Sequence, residues 1–253
     1  IYDGNFLSTQ LRGYGSLRVK SEELGDFVRK VGEGTYMGAN VTIPHKIGIV
    51  RYLDGLTEEA KLIGAANTLY IDGGVKGDNT DGEGALRALE EKIDIRGKKV
   101  LILGAGGAAR AIAFTLAPKV KELYILNRTK SKAEELSNEI QKTKMRAGGL
   151  PVEVEVLSGD MVIIWTSIGM KGAQEGKLIT KDMLRPDQVV MDVVYNPLET
   201  TLLREAKSAG AIAIYGYEML VYQAVPNFRR WTGREAPVDL MMRTVKERLS
   251  GHV

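Results

Sequence analysis

The stretch KKVLILGAGGAARAIAFTLA, residues 98–117, decides the fold of this chain. Its apolar start has the character of a buried strand, and its alanine-rich end that of a helix. Between them, Gly104, Gly106 and Ala109 keep the G-x-G-x-x-A spacing in the strand–turn–helix context that the motif requires. Such glycines let the backbone approach a pyrophosphate, and the helix N-terminus supplies free N–H groups. We predict a dinucleotide-binding turn; a tight turn without a ligand is the alternative.

Strands and helices alternate regularly around this turn. Apolar strands are predicted within 121–129, 161–167, 188–195 and 211–216, and helices at 83–93, 131–142 and 201–210. Strands that are apolar throughout are typical of parallel sheets with helices on both faces. The sequence therefore predicts a doubly wound α/β domain of the Rossmann type over residues 82–221.

The first 81 residues mix shorter helices and strands and predict a second α/β domain. Helices are expected at 21–31 and 56–64, and strands at 38–44, where Pro44 ends the run, and at 67–72. Two amphipathic segments, 218–231 and 238–249, follow the second domain. The pattern alone does not decide which domain these two helices pack against.

Composition narrows the classes of function. The 253 residues include 44% hydrophobic and 26% charged side chains, no Cys, and only His45 and His252 as histidines. These counts argue against disulfides, a cysteine nucleophile and a histidine-rich metal site, so no metal is expected. A net charge of +3 suits a small anionic molecule and is too weak to indicate nucleic acid.

Membrane and secretion signals are not recognised in the sequence. No apolar run approaches the roughly eighteen residues that a membrane helix needs. The residues after Ile1 read as part of a helix and not as a signal peptide. The absence of Cys fits a reducing compartment, so we expect a cytoplasmic protein. The oligomeric state does not follow from the sequence; a monomer or a homodimer is expected.

The residues after the second strand of the predicted Rossmann domain select the cofactor. An NAD site usually has Asp or Glu there for the ribose 2′-hydroxyl. This chain instead has Asn127, Arg128 and Thr129, followed by Lys130, Ser131 and Lys132. A guanidinium can bind a 2′-phosphate with two hydrogen bonds, whereas a carboxylate would repel it. The sequence favours NADP over NAD; a solvated basic helix start is the alternative.

Three short polar stretches in the first domain are candidates for the reacting site. In GANVTIPHK, strand alternation places Asn40 and Thr42 on one face, and Lys46 follows the strand. The others are GAANT, with Asn67, and DNTDG, with Asp81. Lys46 could supply a proton to a carbonyl, and Asp81 could orient the ammonium. A solvated lysine and a common Asp-Gly turn remain the alternatives.

The ordered set of motifs resembles the shikimate dehydrogenase family over almost the whole chain. The matching stretches are NVTIPHK, GAANT, DNTDG, GAGGAAR, NRT, residues 192–211 and residues 216–233. The resemblance implies an N-terminal α/β substrate domain over 1–81, completed by C-terminal helices at 222–253. It also implies an NADP-binding domain over 82–221, with a cleft between the two.

The resemblance also implies an activity and a set of site residues. Members of the family reduce 3-dehydroshikimate to shikimate with NADPH, a step of aromatic amino-acid biosynthesis. Lys46 takes the place of the catalytic lysine, and Asp81 that of its carboxylate partner. Besides Asp81, the implied substrate contacts are Thr42, Asn67, Tyr195 and Gln223. The implied cofactor contacts are Gly104, Ala105, Gly106, Gly107, Ala108, the residues from Asn127 to Lys132 named above, Val193, Gly216 and Met219.

The sequence departs from the family in several places, among them Asp3, where the family usually has Asn. The family's Ser-x-Ser-Pro segment, whose hydroxyls bind the substrate carboxylate, precedes the stretch that IYDGNF resembles; it is either upstream of Ile1 or lost. Tyr14, Ser8 and Ser16 are weak substitutes. VIIWTSIGM has Ile164 and Trp165 where Asn and Ala are common, and GYEM replaces GLGM with Glu218.

Several other functions remain open or are disfavoured. A related enzyme acting on quinate or another hydroxylated ring acid, with NADP or NAD, is the main alternative. A dinucleotide-binding regulator without turnover is a second one. Short-chain dehydrogenases are disfavoured because no Tyr has a Lys four residues later, and zinc alcohol dehydrogenases because Cys is absent.

Overall fold

The computed structural model describes residues 13–140, 144–150, 161–164 and 179–251, and these form two compact α/β units. Within the described residues, the first unit runs to Thr80 and includes Ala224–Thr244. The second unit comprises Asp81–Gln223 and the residues from Val245 onward. The last two helices therefore contribute residues to both units. Among the described residues, none of the helices is both long and apolar enough to span a membrane.

The second unit is built on a six-stranded sheet in which every adjacent pair of strands is parallel. Its strands, in chain order, are β5 (Lys99–Leu103), β6 (Glu122–Leu126), β7 (Lys144–Gly148), β8 (Met161–Ile164), β9 (Val189–Asp192) and β10 (Ile212–Ile214). The spatial order is β10-β9-β8-β5-β6-β7. This is the order of the Rossmann fold, so the predicted fold class is confirmed.

Helices precede, connect and follow the strands of this sheet. α3 (Asp81–Glu90) precedes β5; α4 (Gly107–Leu116), α5 (Lys130–Ile140) and α6 (Thr201–Ser208) connect strands; α7 (Gly216–Thr232) and α8 (Val238–Leu249) follow the last strand. Strands β5 and β6 are buried on both faces, as their apolar sequences predict. The strand order reverses between β5 and β8, and in such sheets ligands bind beyond the carboxyl ends of the strands at that point.

The first unit has a four-stranded sheet in the order β1-β3-β4-β2. The strands are β1 (Gly38–Asn40), β2 (Gly55–Leu56), β3 (Thr68–Ile71) and β4 (Val75–Asp78), and the helices of its N-terminal part are α1 (Leu24–Gly32) and α2 (Glu58–Ile63). β3 pairs antiparallel with both β1 and β4, and β2 pairs parallel with β4. The apolar faces of α1 and of the sheet meet in one core that includes Leu24, Val28, Ile49, Leu69 and Val75.

Helix α2 shows how local sequence sets the boundaries of an element. The Thr57 side chain accepts a hydrogen bond from the Ala60 N–H at 3.2 Å and so caps the N-terminus. Gly64 ends the helix at φ +68°, a conformation that glycine adopts without strain. The end at Gly64 agrees with the predicted helix, whereas the start lies later than predicted, because Leu56 belongs to β2 and Thr57 is the N-cap.

Two predicted strands end earlier than their apolar sequences suggest. The strand expected at 38–44 ends at Asn40, because the His45 N–H donates to the Thr42 carbonyl at 2.9 Å and closes a turn. The alternation that placed Asn40 and Thr42 on one face therefore does not apply. The strand expected at 188–195 ends at Asp192, whose carboxylate accepts the Val194 N–H at 2.9 Å. In both places the chain turns where predicted site residues follow.

Strand β7 was not predicted, because its sequence, KMRAG, has neither an apolar run nor a clear alternation. Ion pairs between adjacent strands stabilise it instead. The buried Glu122 carboxylate on β6 lies 3.2 Å from Lys144 Nζ and 3.0 Å from Arg146 Nε. Burial acts to raise the pKa of Glu122, but the Tyr124 hydroxyl and these two cations outweigh it and lower that pKa.

Candidate nucleotide-binding turn and active site

The glycine turn at 104–107 has the geometry of an anion site. Gly104 has φ +129°, which a side chain would strain, and its N–H donates to the Leu126 carbonyl at 2.7 Å. Gly106 is the exposed N-cap of α4, which begins at Gly107. The first N–H groups of a helix have no partner within it and carry the positive end of the dipole. Ala105 is half-buried and Ala108 is buried beside these groups.

The loop between β6 and α5 presents cations to solvent. Asn127 is half-buried, and its side-chain N–H donates to the Thr129 carbonyl at 2.9 Å, which fixes the turn. Arg128 and Thr129 are exposed between the strand and the helix, and so are the first helical residues, Lys130, Ser131 and Lys132. Lys130 pairs with Glu134 at 3.4 Å, an exposed contact within α5. Residues 127–129 themselves thus offer a guanidinium and no carboxylate to a 2′-phosphate.

The start of α7 approaches the end of β9 closely. A Cβ on Gly216 would lie 2.5 Å from the Val194 carbonyl oxygen, so only glycine permits this approach. Val193 and Met219 are both buried, at 6% exposure each. Glu218, which replaces a common glycine of the family, accepts the Tyr215 N–H at 3.0 Å and lies 3.8 Å from Lys92 Nζ. Its carboxylate therefore stabilises the first turn of α7.

A buried network of amides and hydroxyls joins two of the predicted polar stretches in the first unit. Asn67 is 2% exposed, and its side-chain oxygen accepts the Thr80 N–H at 3.0 Å and the Thr68 hydroxyl at 2.8 Å. Its side-chain N–H donates to Thr80 Oγ1 at 3.1 Å. Asn79 donates to the Ala65 carbonyl at 2.9 Å. These bonds fix GAANT and the turn after β4 against each other.

Asp78 anchors the start of that turn. Its carboxylate accepts the Thr57 hydroxyl and the Asn79 N–H, both at 2.7 Å. Arg230 from α7 completes the group with an ion pair at 2.7 Å, and its guanidinium lies 4.4 Å from the centre of the Tyr70 ring. A carboxylate with three charge-assisted or backbone partners has little freedom to move. The DNTDG stretch is therefore fixed before it reaches Asp81.

The two predicted catalytic residues lie next to these hydrogen-bonded segments. Lys46 is half-buried, and its carbonyl accepts the Ala66 N–H at 2.8 Å. Asp81 is 5% exposed and is the first residue of α3, in place of the Asp-Gly turn that was the alternative. The backbone at Lys46 and at Thr80 thus bonds to two adjacent residues, Ala66 and Asn67.

The remaining predicted residues occupy varied positions. Thr42 is exposed in the turn after β1, and Tyr195 is 44% exposed after β9. Gln223 is half-buried on α7, and its side-chain N–H donates to the Leu220 carbonyl at 3.0 Å. Tyr14 donates its hydroxyl to Asn40 Oδ1 at 3.1 Å, and Ser16 is exposed. Ser8 and Trp165 lie outside the described residues, and the structure gives only the backbone of Ile164.

Four residues that support these segments were not predicted from the sequence. They are Asp78, Arg230, Asp192 and Thr200. The sequence did carry one signal for Asp192, since it is the only charged residue in the apolar run VVMDVV. A buried carboxylate needs hydrogen-bond partners, so a charge at that place indicates a fixed polar contact. Arg230 offers no such signal, because its partner is distant in the sequence.

Comparison with known proteins identifies the family. The family model of the shikimate dehydrogenase substrate binding domain matches residues 6–69, and that of shikimate / quinate 5-dehydrogenase matches residues 85–192. The model of the shikimate 5′-dehydrogenase C-terminal domain matches residues 216–246. A shikimate dehydrogenase (NADP(+)) of Methanopyrus kandleri is 44% identical over 247 residues, which are 93% of this chain and 85% of the relative.

This chain belongs to the shikimate dehydrogenase family. A crystal structure of a shikimate dehydrogenase in complex with NADP+ has 42% identity and a TM-score of 0.86, covering 92% of this chain and 84% of that one. A shikimate 5-dehydrogenase from Listeria monocytogenes in complex with shikimate and NAD has 36% identity and a TM-score of 0.81, with coverages of 90% and 84%. The resemblance inferred from the motifs is confirmed.

The second unit of this chain has a geometry that fits a bound dinucleotide. The exposed Gly106 leaves the start of α4 open to a pyrophosphate. A guanidinium and two ammonium groups follow β6, where a ribose phosphate would lie. The fit depends on backbone conformation at the glycines and on charge at the basic loop, which are independent features.

The Asn67 network should contribute strongly to stability. Asn67→Ala would leave the Thr80 N–H and the Thr68 hydroxyl buried without their acceptor. We expect the free energy of unfolding to fall by about 3 kcal/mol, the cost of one or two unsatisfied buried groups. Denaturant unfolding followed by circular dichroism measures this. The control is Asn138→Ala on the exposed side of α5, expected to change stability by less than about 0.5 kcal/mol. Equal losses in the two variants would contradict the importance of the network.

Proposed function

We propose that this chain is an NADP-dependent shikimate dehydrogenase, which reversibly reduces 3-dehydroshikimate to shikimate in aromatic amino-acid biosynthesis with Lys46 and Asp81 in proton transfer. The observation that carries the proposal is a pair of hydrogen bonds within the first unit. In a chain of this family, the segments bearing Lys46 and Asp81 bond to adjacent residues, Ala66 and Asn67. General acid–base catalysis needs groups whose positions are fixed in this way.

The proposed roles follow from the chemistry of carbonyl reduction. When bound, NADPH supplies the hydride. The Lys46 ammonium donates a proton to the carbonyl oxygen, and in the reverse direction the amine accepts a proton from the hydroxyl. The carboxylate of Asp81 orients the ammonium. The ring hydroxyls of the substrate can bond to neutral donors and acceptors on Thr42, Asn67, Tyr195 and Gln223. Asn67 has a second role, because its side chain also fixes the turn at Thr80.

The cofactor is proposed to bind through residues of the second unit. The N–H groups of residues 106–108 and the dipole of α4 suit the pyrophosphate. Arg128 suits the 2′-phosphate as a bidentate donor, with Lys130 and Lys132 adding positive charge. Val193, Gly216 and Met219 are proposed to contact the cofactor near its reacting end.

The cysteine-free composition supports a cytoplasmic location, and we propose a monomer or a homodimer.

Quinate is the second candidate substrate. The family model over residues 85–192 covers both shikimate and quinate enzymes, and that observation favours no single ring acid. A regulator without turnover is disfavoured, because the chain keeps both Lys46 and Asp81 and because its relatives are named as enzymes, such as the shikimate dehydrogenase (NADP(+)) of Methanopyrus kandleri. Because quinate differs from shikimate in its ring substituents, a direct comparison of turnover separates the first two candidates.

An oxidation assay tests the proposed function. The full-length natural protein is mixed with shikimate or quinate and with NADP or NAD, and formation of the reduced nicotinamide is followed by its absorbance. We expect the highest kcat/KM for shikimate with NADP. A higher value for quinate would favour the second candidate. Absence of turnover with all four pairs would contradict enzymatic function and favour the regulator.

Lys46→Ala tests the proton donor. We expect kcat to fall roughly 100-fold or more, the usual size of a general acid–base contribution. The affinity for NADP, measured by fluorescence titration, should change little, because the cofactor residues belong to the other unit. Lys30→Ala, at an exposed position on α1, is the matched control and should retain its turnover. Near-normal kcat in Lys46→Ala would remove Lys46 from the mechanism.

Arg128→Ala tests the preference for NADP. Loss of a charge-assisted contact should weaken NADP binding by about 1.5–3 kcal/mol and leave NAD binding nearly unchanged. Equilibrium titrations with both cofactors measure the difference. Arg96→Ala, which removes an exposed guanidinium before β5, is the control. Equal losses for NADP and NAD would show that Arg128 does not contact the 2′-phosphate.

A further inference from the structure

The segment after β9 carries two kinds of proposed contact within a few residues. β9 ends at Asp192, and α6 begins at Thr201. Val193 and Val194 are buried at 6% and 4% exposure, whereas Tyr195 is 44% exposed. Under the proposed function, Val193 contacts the cofactor and Tyr195 the substrate. The path of this backbone therefore sets both contacts at once.

A single buried carboxylate bonds to both ends of that segment. Asp192 is 1% exposed, and its Oδ1 accepts the Val194 N–H at 2.9 Å. Its Oδ2 accepts the Thr200 hydroxyl at 2.6 Å. Burial raises the pKa of Asp192 to about 6, and the two hydrogen bonds act against that rise. A charge kept at this desolvation cost is expected to have a specific structural task.

Thr200 connects the carboxylate to the next helix. Its hydroxyl donates to Asp192, and the same oxygen accepts the Leu203 N–H at 3.4 Å as the N-cap of α6. The hydroxyl hydrogen can serve only one acceptor. In this arrangement it is directed to Asp192, and the lone pairs are left for the helix. Removing the hydroxyl therefore breaks the connection between the carboxylate and α6.

The opposite side of the segment is bounded by Gly216. An added Cβ there would lie 2.5 Å from the Val194 carbonyl oxygen and 2.6 Å from its carbon. The backbone of Val194 is thus fixed at its N–H by Asp192 and crowded at its carbonyl by the start of α7. Its two neighbours, Val193 and Tyr195, have little freedom to move as long as both restraints are present.

We propose that Asp192 and Thr200 are positioning residues that fix the Val193–Tyr195 backbone for binding of both substrate and cofactor. The proposal rests on the proposed function for the roles of Val193 and Tyr195. It differs from a purely structural role in its kinetic consequence. A residue that only stabilises the fold changes the fraction of active enzyme, which lowers apparent kcat and leaves KM unmoved. A displaced segment raises the KM values themselves.

Thr200→Val tests the proposal with nearly constant side-chain volume. We expect the KM for shikimate and the Kd for NADP each to rise about tenfold, as for loss of a hydrogen bond to a charged group. Thr200→Ser keeps the hydroxyl and should restore both values to within about twofold of the natural protein. Thr201→Val is the matched control, because it removes a neighbouring hydroxyl whose contact is with Arg204 and not with Asp192.

Each outcome decides for or against the proposal. Unchanged KM and Kd in folded Thr200→Val, or equal changes in Thr201→Val, would overturn it. If Thr200→Val does not fold, Asp192→Asn takes its place: it removes the charge and turns one of the two acceptor oxygens into a donor, so the bonds to Val194 and Thr200 cannot both remain as they are. Unchanged constants would again overturn the proposal. If the natural protein does not oxidise shikimate, the proposed function fails, and the NADP titration alone still tests the positioning.

Discussion

The hydrogen bonds of the buried Asn67 side chain are the constraint on which the first unit's candidate site depends. Its oxygen accepts the Thr80 N–H and the Thr68 hydroxyl, so one amide connects the start of β3 to the residue that precedes α3. The adjacent Ala66 N–H donates to the Lys46 carbonyl. Since buried polar groups are costly when unsatisfied, these contacts allow few alternative positions for the backbone on either side.

The second unit uses the same physical device with different chemistry. A carboxylate, Asp192, replaces the amide and accepts a backbone N–H just after a strand ends. In both units a side chain takes over the hydrogen bonding that the sheet stops providing, and the backbone can turn without leaving an orphan N–H group. Residues proposed to contact ligands follow directly: Asp81 after Thr80, and Val193 and Tyr195 after Asp192. The positions of these proposed contacts therefore depend on side-chain hydrogen bonds to the backbone.

The sequence predicted those parts of the fold that depend on local pattern. The strand–turn–helix at 98–117 and the Gly64 end of α2 are as expected, because apolar runs and glycine turns have local physical causes. The predicted ends of β1 and β9 were wrong. These strands are ended by a turn and by a side-chain hydrogen bond, and the apolar pattern of the sequence contains no signal for either. β7 was missed because cross-strand ion pairs with Glu122 stabilise it. The pair of Asp78 and Arg230 could not be predicted, since its members are distant in the sequence.

Two nearby positions at the start of α7 differ in how much change the surrounding structure accommodates. Glu218 introduces a charge where glycine is common, yet its carboxylate accepts the Tyr215 N–H and lies near Lys92. An acidic group bonded to the first turn of a helix interacts favourably with the dipole, so this substitution carries its own compensation. The nearby Gly216 cannot be replaced in this way, because any side chain would collide with the Val194 carbonyl. Within one helical turn, then, one position tolerates a new charge and another excludes even a methyl group, and backbone proximity is what distinguishes them.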